Sequence, residues 1–273
     1  MGFCYGYSII VSKIDQINTL LSLMEFKVFR VFFILCFCIG IAQAQPITAK
    51  SWIVSNAEGQ ILEQANANEI RSIASISKLI VSMIVLDSHQ DLEEVIPLST
   101  KIRDRLPAQL TRGKLLELSL VSSNNRAAQT LCEQYPGGFG VCVFAMNQKL
   151  HSLGMDHSLV YEPTGLDKRN VSTATELVEL VKAASHYPFI VDADKKSNVE
   201  VQVKKRKMVF HNTNPIIHKQ PFEISKTGWI TASGGCIVTK INNAIIIILG
   251  SRNTHTRITE VAYLYELHKR RIV

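Results

Sequence analysis

The sequence predicts a mixed α/β (α+β) fold, with a mainly antiparallel central sheet, flanking helices and an all-helical subdomain. Three observations predict it: two short strand-like segments open the body of the chain, apolar stretches of helical period and length fill its middle, and β-rich runs followed by one last helix close it. The composition agrees, since 273 residues that are 47% hydrophobic and 19% charged exclude a disordered, collagen-like or disulfide-dense miniprotein. A chain of this size buries roughly 70% or more of its unfolded surface without a metal or disulfide staple. No internal repeat, low-complexity tract or Pro/Gly linker marks a second domain.

Each element follows from a local pattern. Ser51 to Ser55, the turn Asn56 to Gly59 and Gln60 to Gln64 read as a β-hairpin. From Ser75 to about Ser88 the apolar positions Ile76, Leu79, Ile80, Met83, Ile84 and Leu86 are too dense for one stripe, which predicts a helix buried nearly all round at the centre of the domain. Leu110 to Tyr135 reads as two helices with a polar break at Ser122 to Asn125. Val141 to Leu153 reads as a helix ending at Gly154, and Thr173 to Ser185 as another. Asn198 to Phe210 then alternates apolar and polar residues. Glu223 to Ser225, Cys236 to Lys240 and Ala244 to Gly250 read as strands, the last two joined by a tight Asn242-Asn243 turn. A helix from about Thr256 to Arg270 closes the chain.

The N-terminus has the layout of a secretory signal. Lys27 and Arg30 precede the uncharged apolar run Val31 to Ile41, and Ala42-Gln43-Ala44 follows as a cleavage site. That run is well short of the about 20 residues a membrane-crossing helix needs, so a permanent anchor is not expected. Residues 1–23 place an apolar and aromatic lead ahead of the basic region, which points to Met24 as the initiator. The expected organisation is a leader over 1–44 and one domain over 45–273, soluble and periplasmic. Three cysteines fall in that domain: Cys132, Cys142 and Cys236. The Pro136-Gly137-Gly138 turn lies between the first two, and both a Cys132–Cys142 bridge and a buried free thiol fit an oxidising compartment. No Cys-x-x-Cys, His-x-His or His-Glu-x-x-His occurs, so neither metal nor cofactor is expected.

A formal charge of +7 suits an anionic partner. Lys204 to Lys207 (KKRK), with Lys195 and Lys196 nearby, is its densest cluster. No aromatics interleave with these charges, which argues against nucleic acid and leaves a solvated hairpin face or a contact with anionic wall polymer.

The chemistry begins at Ser75-Ile76-Ser77-Lys78, which sets a hydroxyl and an amine three residues apart on one helix face. A serine attacks only if a nearby base takes its proton, and lysine is such a base only when burial or neighbouring positive charge keeps it neutral. Alone, Ser-x-x-Lys is also an ordinary helix start. Here it is followed in order by Ser123-Asn124-Asn125, at the polar break between helices, and by Lys226-Thr227-Gly228, which is expected to end a short strand. The bland reading of Ser123 and Asn125 is helix capping.

This ordered set resembles the signature of penicillin-binding proteins and class A β-lactamases. RSIASISK (71–78), SSNNRAA (122–128), YPGG (135–138), Gly154-Met155, EPTGL (162–166), NVST (170–173) and SKTG (225–228) extend the resemblance over essentially the whole mature chain. They are similar to the low-molecular-mass serine penicillin-binding proteins of the penicillin-binding protein 7 type, the D-alanyl-D-alanine endopeptidase branch. The resemblance implies a β-lactamase/transpeptidase-like fold and hydrolysis of D-alanyl cross-links in peptidoglycan through an acyl-enzyme on Ser75. DD-carboxypeptidase, β-lactamase and a non-catalytic wall-binding or β-lactam-sensing protein are the alternatives. It implies Lys78 as general base, Ser123 as proton relay to the leaving amine, and Asn125 as a hydrogen-bond partner of the substrate amide. Lys226 and Thr227 would hold a carboxylate. Gly228 would allow close approach, and the N–H groups of Ser75 and Trp229 would form the oxyanion hole. The implied partners are cross-linked muropeptides, with β-lactams as covalent inhibitors. Two departures stand out: Asn124 takes the middle position of the second motif, and no Glu-x-x-Leu-Asn segment supplies a deacylating carboxylate. A penicillin adduct is therefore expected to be long-lived.

Overall fold

The computed structural model describes residues 47–272. The leader and cleavage site read from residues 1–44 lie outside the described residues. The strands are β1 (Ser51–Asn56), β2 (Ile61–Ala65), β3 (Arg71–Ser72), β4 (Val95–Pro97), β5 (Gln109–Thr111), β6 (Val171–Ser172), β7 (Asn198–Val203), β8 (Arg206–His211), β9 (Phe222–Ile230), β10 (Gly234–Ile241) and β11 (Ala244–Ser251). The helices are α1 (Ser77–Asp87), α2 (Arg112–Val121), α3 (Asn125–Glu133), α4 (Gly138–Ser152), α5 (Ala174–Ala184), α6 (Pro188–Asp194) and α7 (Thr256–His268), and a 3₁₀ turn over Ala74–Ile76 leads into α1. Among them no helix is long and apolar enough to cross a membrane.

Five strands form one antiparallel sheet in the order β2-β1-β11-β10-β9. The central strand β11 is buried on both faces, which is why it reads as an unbroken apolar run and not as an alternation. Its side chains still obey the two-residue period of a strand. Ile245, Ile247 and Leu249 enter the core shared with α1 to α5, while Ile246 and Ile248 enter the core under α7 with Ile258, Val261 and Leu264. Each of these fully buried side chains contributes roughly 1.5–3 kcal/mol through burial. Helices α1 to α4 pack on one another as the helical subdomain, and every residue of α1 from Ser77 to Val85 is buried.

The structure refines several of these elements, and the helix read from Val141 starts at Gly138. β9 does not end at Lys226-Thr227-Gly228 but runs on to Ile230, because Trp229 and Ile230 pair with Gly235 and Gly234 of β10. The alternating stretch is a hairpin, β7 and β8, turned at Lys204 and Lys205. Helix α6 was not anticipated from the sequence. Cys132 and Cys142 are joined in a disulfide between α3 and α4, and Cys236 is a buried free thiol.

Candidate active site

Three segments distant in the chain converge beside the first turn of α1. Ser75 lies in the 3₁₀ turn before α1, and Lys78 lies one turn on, so their side chains meet as the three-residue spacing requires. Lys78 Nζ is 2.9 Å from Ser75 Oγ and donates to it. It also donates to Asn125 Oδ1 at 2.8 Å and to the Thr164 carbonyl. Ser75 Oγ in turn donates to the same carbonyl at 3.2 Å. Lys78 is fully buried, and burial drives its pKa well below the ordinary lysine value. The Lys226 ammonium pushes it further down, and the Glu162 carboxylate acts weakly in the opposite sense.

The second segment is the break between α2 and α3. Ser123 sits in the left-handed region at φ 55°, which turns the chain so that its hydroxyl faces β9. The capping function falls to Asn124, whose side chain accepts the Ala127 N–H at 2.8 Å. Ser123 and Asn125 are left free to turn inward, and the middle residue of the motif is a helix cap.

From the third segment, Lys226 Nζ donates to Ser123 Oγ at 2.9 Å and to the Thr227 carbonyl at 2.9 Å. Thr227 Oγ1 donates to Thr213 Oγ1 at 2.6 Å. Gly228 lies against the nucleophile's backbone: a Cβ there would stand 3.0 Å from Ala74 Cβ, Ile73 O and Ser75 N. Trp229 extends β9 past this contact with its ring partly exposed. All eight residues predicted from the sequence thus belong to one neighbourhood.

Four contributors were not predicted. Asp194, at the C-terminal end of α6, is fully buried and accepts the Ser225 N–H at 2.9 Å. Burial raises its carboxyl to about 7, with the Ser225 N–H and the Lys226 charge opposing. Lys226 is lowered to about 7, first by burial and then by Arg257, while the Asp194 carboxylate pulls the other way. Arg257 Nη1 donates to the Gly228 carbonyl at 2.5 Å from the start of α7. Thr213 anchors Thr227, as above. Thr164 supplies the carbonyl that Lys78 and Ser75 share.

That carbonyl is aimed by Glu162. Its carboxylate accepts the N–H groups of Thr164 and Gly165, each at 2.6 Å, together with the Thr164 hydroxyl at 2.5 Å and Asn170 Nδ2 at 3.1 Å. Asn170 Nδ2 also reaches Ser77 Oγ at 2.9 Å, tying the loop to α1. Gly165 is required there, because at φ 80° a Cβ would lie 2.0 Å from the Ala74 carbonyl oxygen. Glu162 is therefore saturated by its own loop and has no oxygen to spare for activating a water.

A buried lysine in contact with a serine at a helix start is thus faced by a second lysine–serine contact, made from β9 to the α2–α3 loop, in a site that can carry a serine nucleophile and its base. The chain belongs to the D-alanyl-D-alanine carboxypeptidase family, serine peptidase family S11, which it matches over residues 40–252. It is 35% identical to a D-alanyl-D-alanine endopeptidase of Pseudomonas aeruginosa over 79% of this chain and 76% of that one. It is 32% identical to a D-alanyl-D-alanine endopeptidase of Escherichia coli over 82% of this chain and 77% of the relative. Its fold is that of penicillin-binding protein D2 from Listeria monocytogenes in an ampicillin-bound form, with a TM-score of 0.73 and 24% identity over 81% of this chain and 97% of that one.

Proposed function

We propose that the protein is a periplasmic DD-endopeptidase that hydrolyses D-alanyl cross-links of peptidoglycan through an acyl-enzyme on Ser75, and that it acts as a domain over 45–273 after loss of the leader. The observation that carries this reading is the 2.9 Å contact between Ser75 Oγ and the fully buried Lys78 amine. In its neutral form Lys78 accepts the Ser75 proton as Oγ attacks the carbonyl carbon of the donor D-Ala. The oxyanion then faces the N–H of Ser75 and that of Trp229, on the two backbones that Gly228 brings together. Collapse of the tetrahedral intermediate breaks the peptide C–N bond. Ser123, held by Lys226, relays to the leaving amine the proton that Lys78 took from Ser75, which returns Lys78 to its neutral form. Water later releases the acyl group, its proton restoring the Ser75 hydroxyl. Asn125 holds the substrate amide, and Lys226 with Thr227 holds the carboxylate next to that amine.

With Glu162 committed to its loop, no carboxylate among the described residues contacts the Ser75 hydroxyl to hasten deacylation, which supports β-lactams as long-lived covalent inhibitors. The second reading is a DD-carboxypeptidase removing terminal D-Ala, favoured by the activity that names the family. Incubation with purified cross-linked and pentapeptide muropeptides, followed by chromatography, separates the two. Conversion of dimers to monomers is expected. Loss of D-Ala from pentapeptides with dimers untouched would replace the first reading by the second.

A further inference from the structure

One charged feature of the fold plays no part in the chemistry above. The β7–β8 hairpin turns at Lys204, which sits at φ 54°, and Lys205. Between this turn and the segment that carries Arg105 lies a cleft of about 820 Å³, lined by Arg105, Val203, Lys204, Lys205, Arg206 and Met208. Four of these six residues are cations, and none of the four takes part in the ion pairs formed among the described residues. The cations beside them are satisfied: Lys207 pairs with Glu200, and Arg126 with Asp104. Like charges gathered around one space repel each other until an anion enters it, and Val203 and Met208 give the space an apolar floor.

The position of the cleft connects it to the reaction. Asp104, next to Arg105, accepts from Asn124 Nδ2 at 2.9 Å and from Arg126 Nη1 at 3.1 Å. The Arg105 segment is thereby tied to the loop that presents Ser123, and β7 and β8 pack on α2, which runs into the same loop. Ser123 is the residue assigned to protonate the departing amine, so both walls of the cleft are joined to the loop that handles the leaving group.

We propose that the Arg105–Lys205–Arg206 cleft is the subsite for the leaving stem peptide of a cross-linked muropeptide, its cations binding carboxylates that this stem carries beyond the cleaved bond. This rests on the DD-peptidase reading. A single D-Ala leaving group has one carboxylate, which Lys226 and Thr227 take, so the cleft serves cross-link cleavage and not terminal trimming.

The test compares a cross-linked muropeptide dimer carrying free stem carboxylates with the same dimer amidated at those carboxylates away from the cleaved junction. The intact protein is expected to prefer the free-carboxylate dimer by about tenfold in kcat/KM, the scale that a few solvent-exposed ion pairs reach. The preference should shrink when salt is raised to about 1 M, where charges are screened beyond roughly 3 Å. Arg105→Gln with Lys205→Gln and Arg206→Gln should abolish it through KM, and Arg105→Gln alone should weaken it. The charge-matched remote variant Lys219→Gln with Arg270→Gln and Arg271→Gln should keep it. The proposal is overturned if the intact protein cleaves both dimers equally, if the cleft variant keeps the preference, or if it loses rate equally on both. Inorganic polyphosphate competing with both dimers alike, in a protein that shows no carboxylate preference, would assign the cations to another polyanion and also overturn it. Cleavage of neither dimer by the intact protein would overturn the DD-endopeptidase reading itself, and the cleft assignment with it.

Discussion

Replacing Lys78 by Met separates the chemistry of the site from its packing. Methionine fills nearly the same unbranched volume in a position that is fully buried. The substitution removes the hydrogen bonds to Ser75 Oγ and Asn125 Oδ1, at 2.9 and 2.8 Å, and the one to the Thr164 carbonyl. Asn125 Oδ1 then lacks this donor, which costs about 1–3 kcal/mol, while the Thr164 carbonyl keeps the Ser75 hydroxyl. Against this, the variant no longer buries an amine whose charged form is penalised by several kcal/mol. The two effects offset to within about 2 kcal/mol, so the melting temperature should stay within about 4–8 °C of wild type. Acylation should fall by a factor of about 10²–10⁴, the usual contribution of a positioned general base. The assay is the second-order rate constant for labelling by a fluorescent penicillin, with calorimetry on the same samples. Labelling within about threefold of wild type would refute Lys78 as the base, since general-base loss cannot be that small. A protein too destabilised to melt cooperatively would refute the offset between lost hydrogen bonds and relieved desolvation.

Three further outcomes follow from the same geometry. Gly228→Ala places a Cβ 3.0 Å from Ser75 N and Ile73 O. It should cost about 1–3 kcal/mol through overpacking and slow acylation on the order of a hundredfold by displacing an oxyanion donor, and wild-type labelling would contradict the close approach. Asp194→Asn removes a buried charge that raises the lysine opposite Ser123, whose pKa is about 7 in the intact site. Carboxylate binding needs that lysine protonated, so activity is lost as pH rises through its pKa, and the falling limb of the kcat/KM profile should move to lower pH in the variant. An unmoved or alkaline-shifted limb would contradict the coupling. Cys132→Ala with Cys142→Ala opens a loop closed over a sequence separation of 10. Chain entropy puts the loss at about 3 kcal/mol, or a melting temperature lower by about 6–12 °C, measured by calorimetry.

Much of the fold is legible in the sequence because periodicity is local. The hairpin of β1 and β2, the wholly apolar α1, the break between α2 and α3, and the paired β10 and β11 all carry their own signals. So does the contact between Ser75 and Lys78, which lie one helical turn apart. The 2.9 Å meeting of Lys226 and Ser123 is different: no spacing rule brings residues 103 positions apart together, and only the family resemblance anticipated it. The Thr164 carbonyl was invisible because a backbone oxygen has no residue type to flag it. Asp194 was missed because α6 is one short helix in an unmarked stretch, although Pro188 at its first turn is a recognisable start. The small residues after Trp229 concealed the continuation of β9, since Gly234 and Gly235 read as loop while their backbones complete the ladder with β9.

The central claim is that Ser75 is the acylated nucleophile of a slow-deacylating DD-peptidase. Its most direct test is the intact mass of the protein and of its Ser75→Ala variant after mixing with benzylpenicillin, with intact and hydrolysed drug followed in parallel. Acylation at Ser75 predicts a lasting adduct of one drug mass on wild type alone, with little free drug consumed. An adduct on Ser75→Ala as well, rapid drug turnover without an adduct, or no reaction with either protein would contradict it.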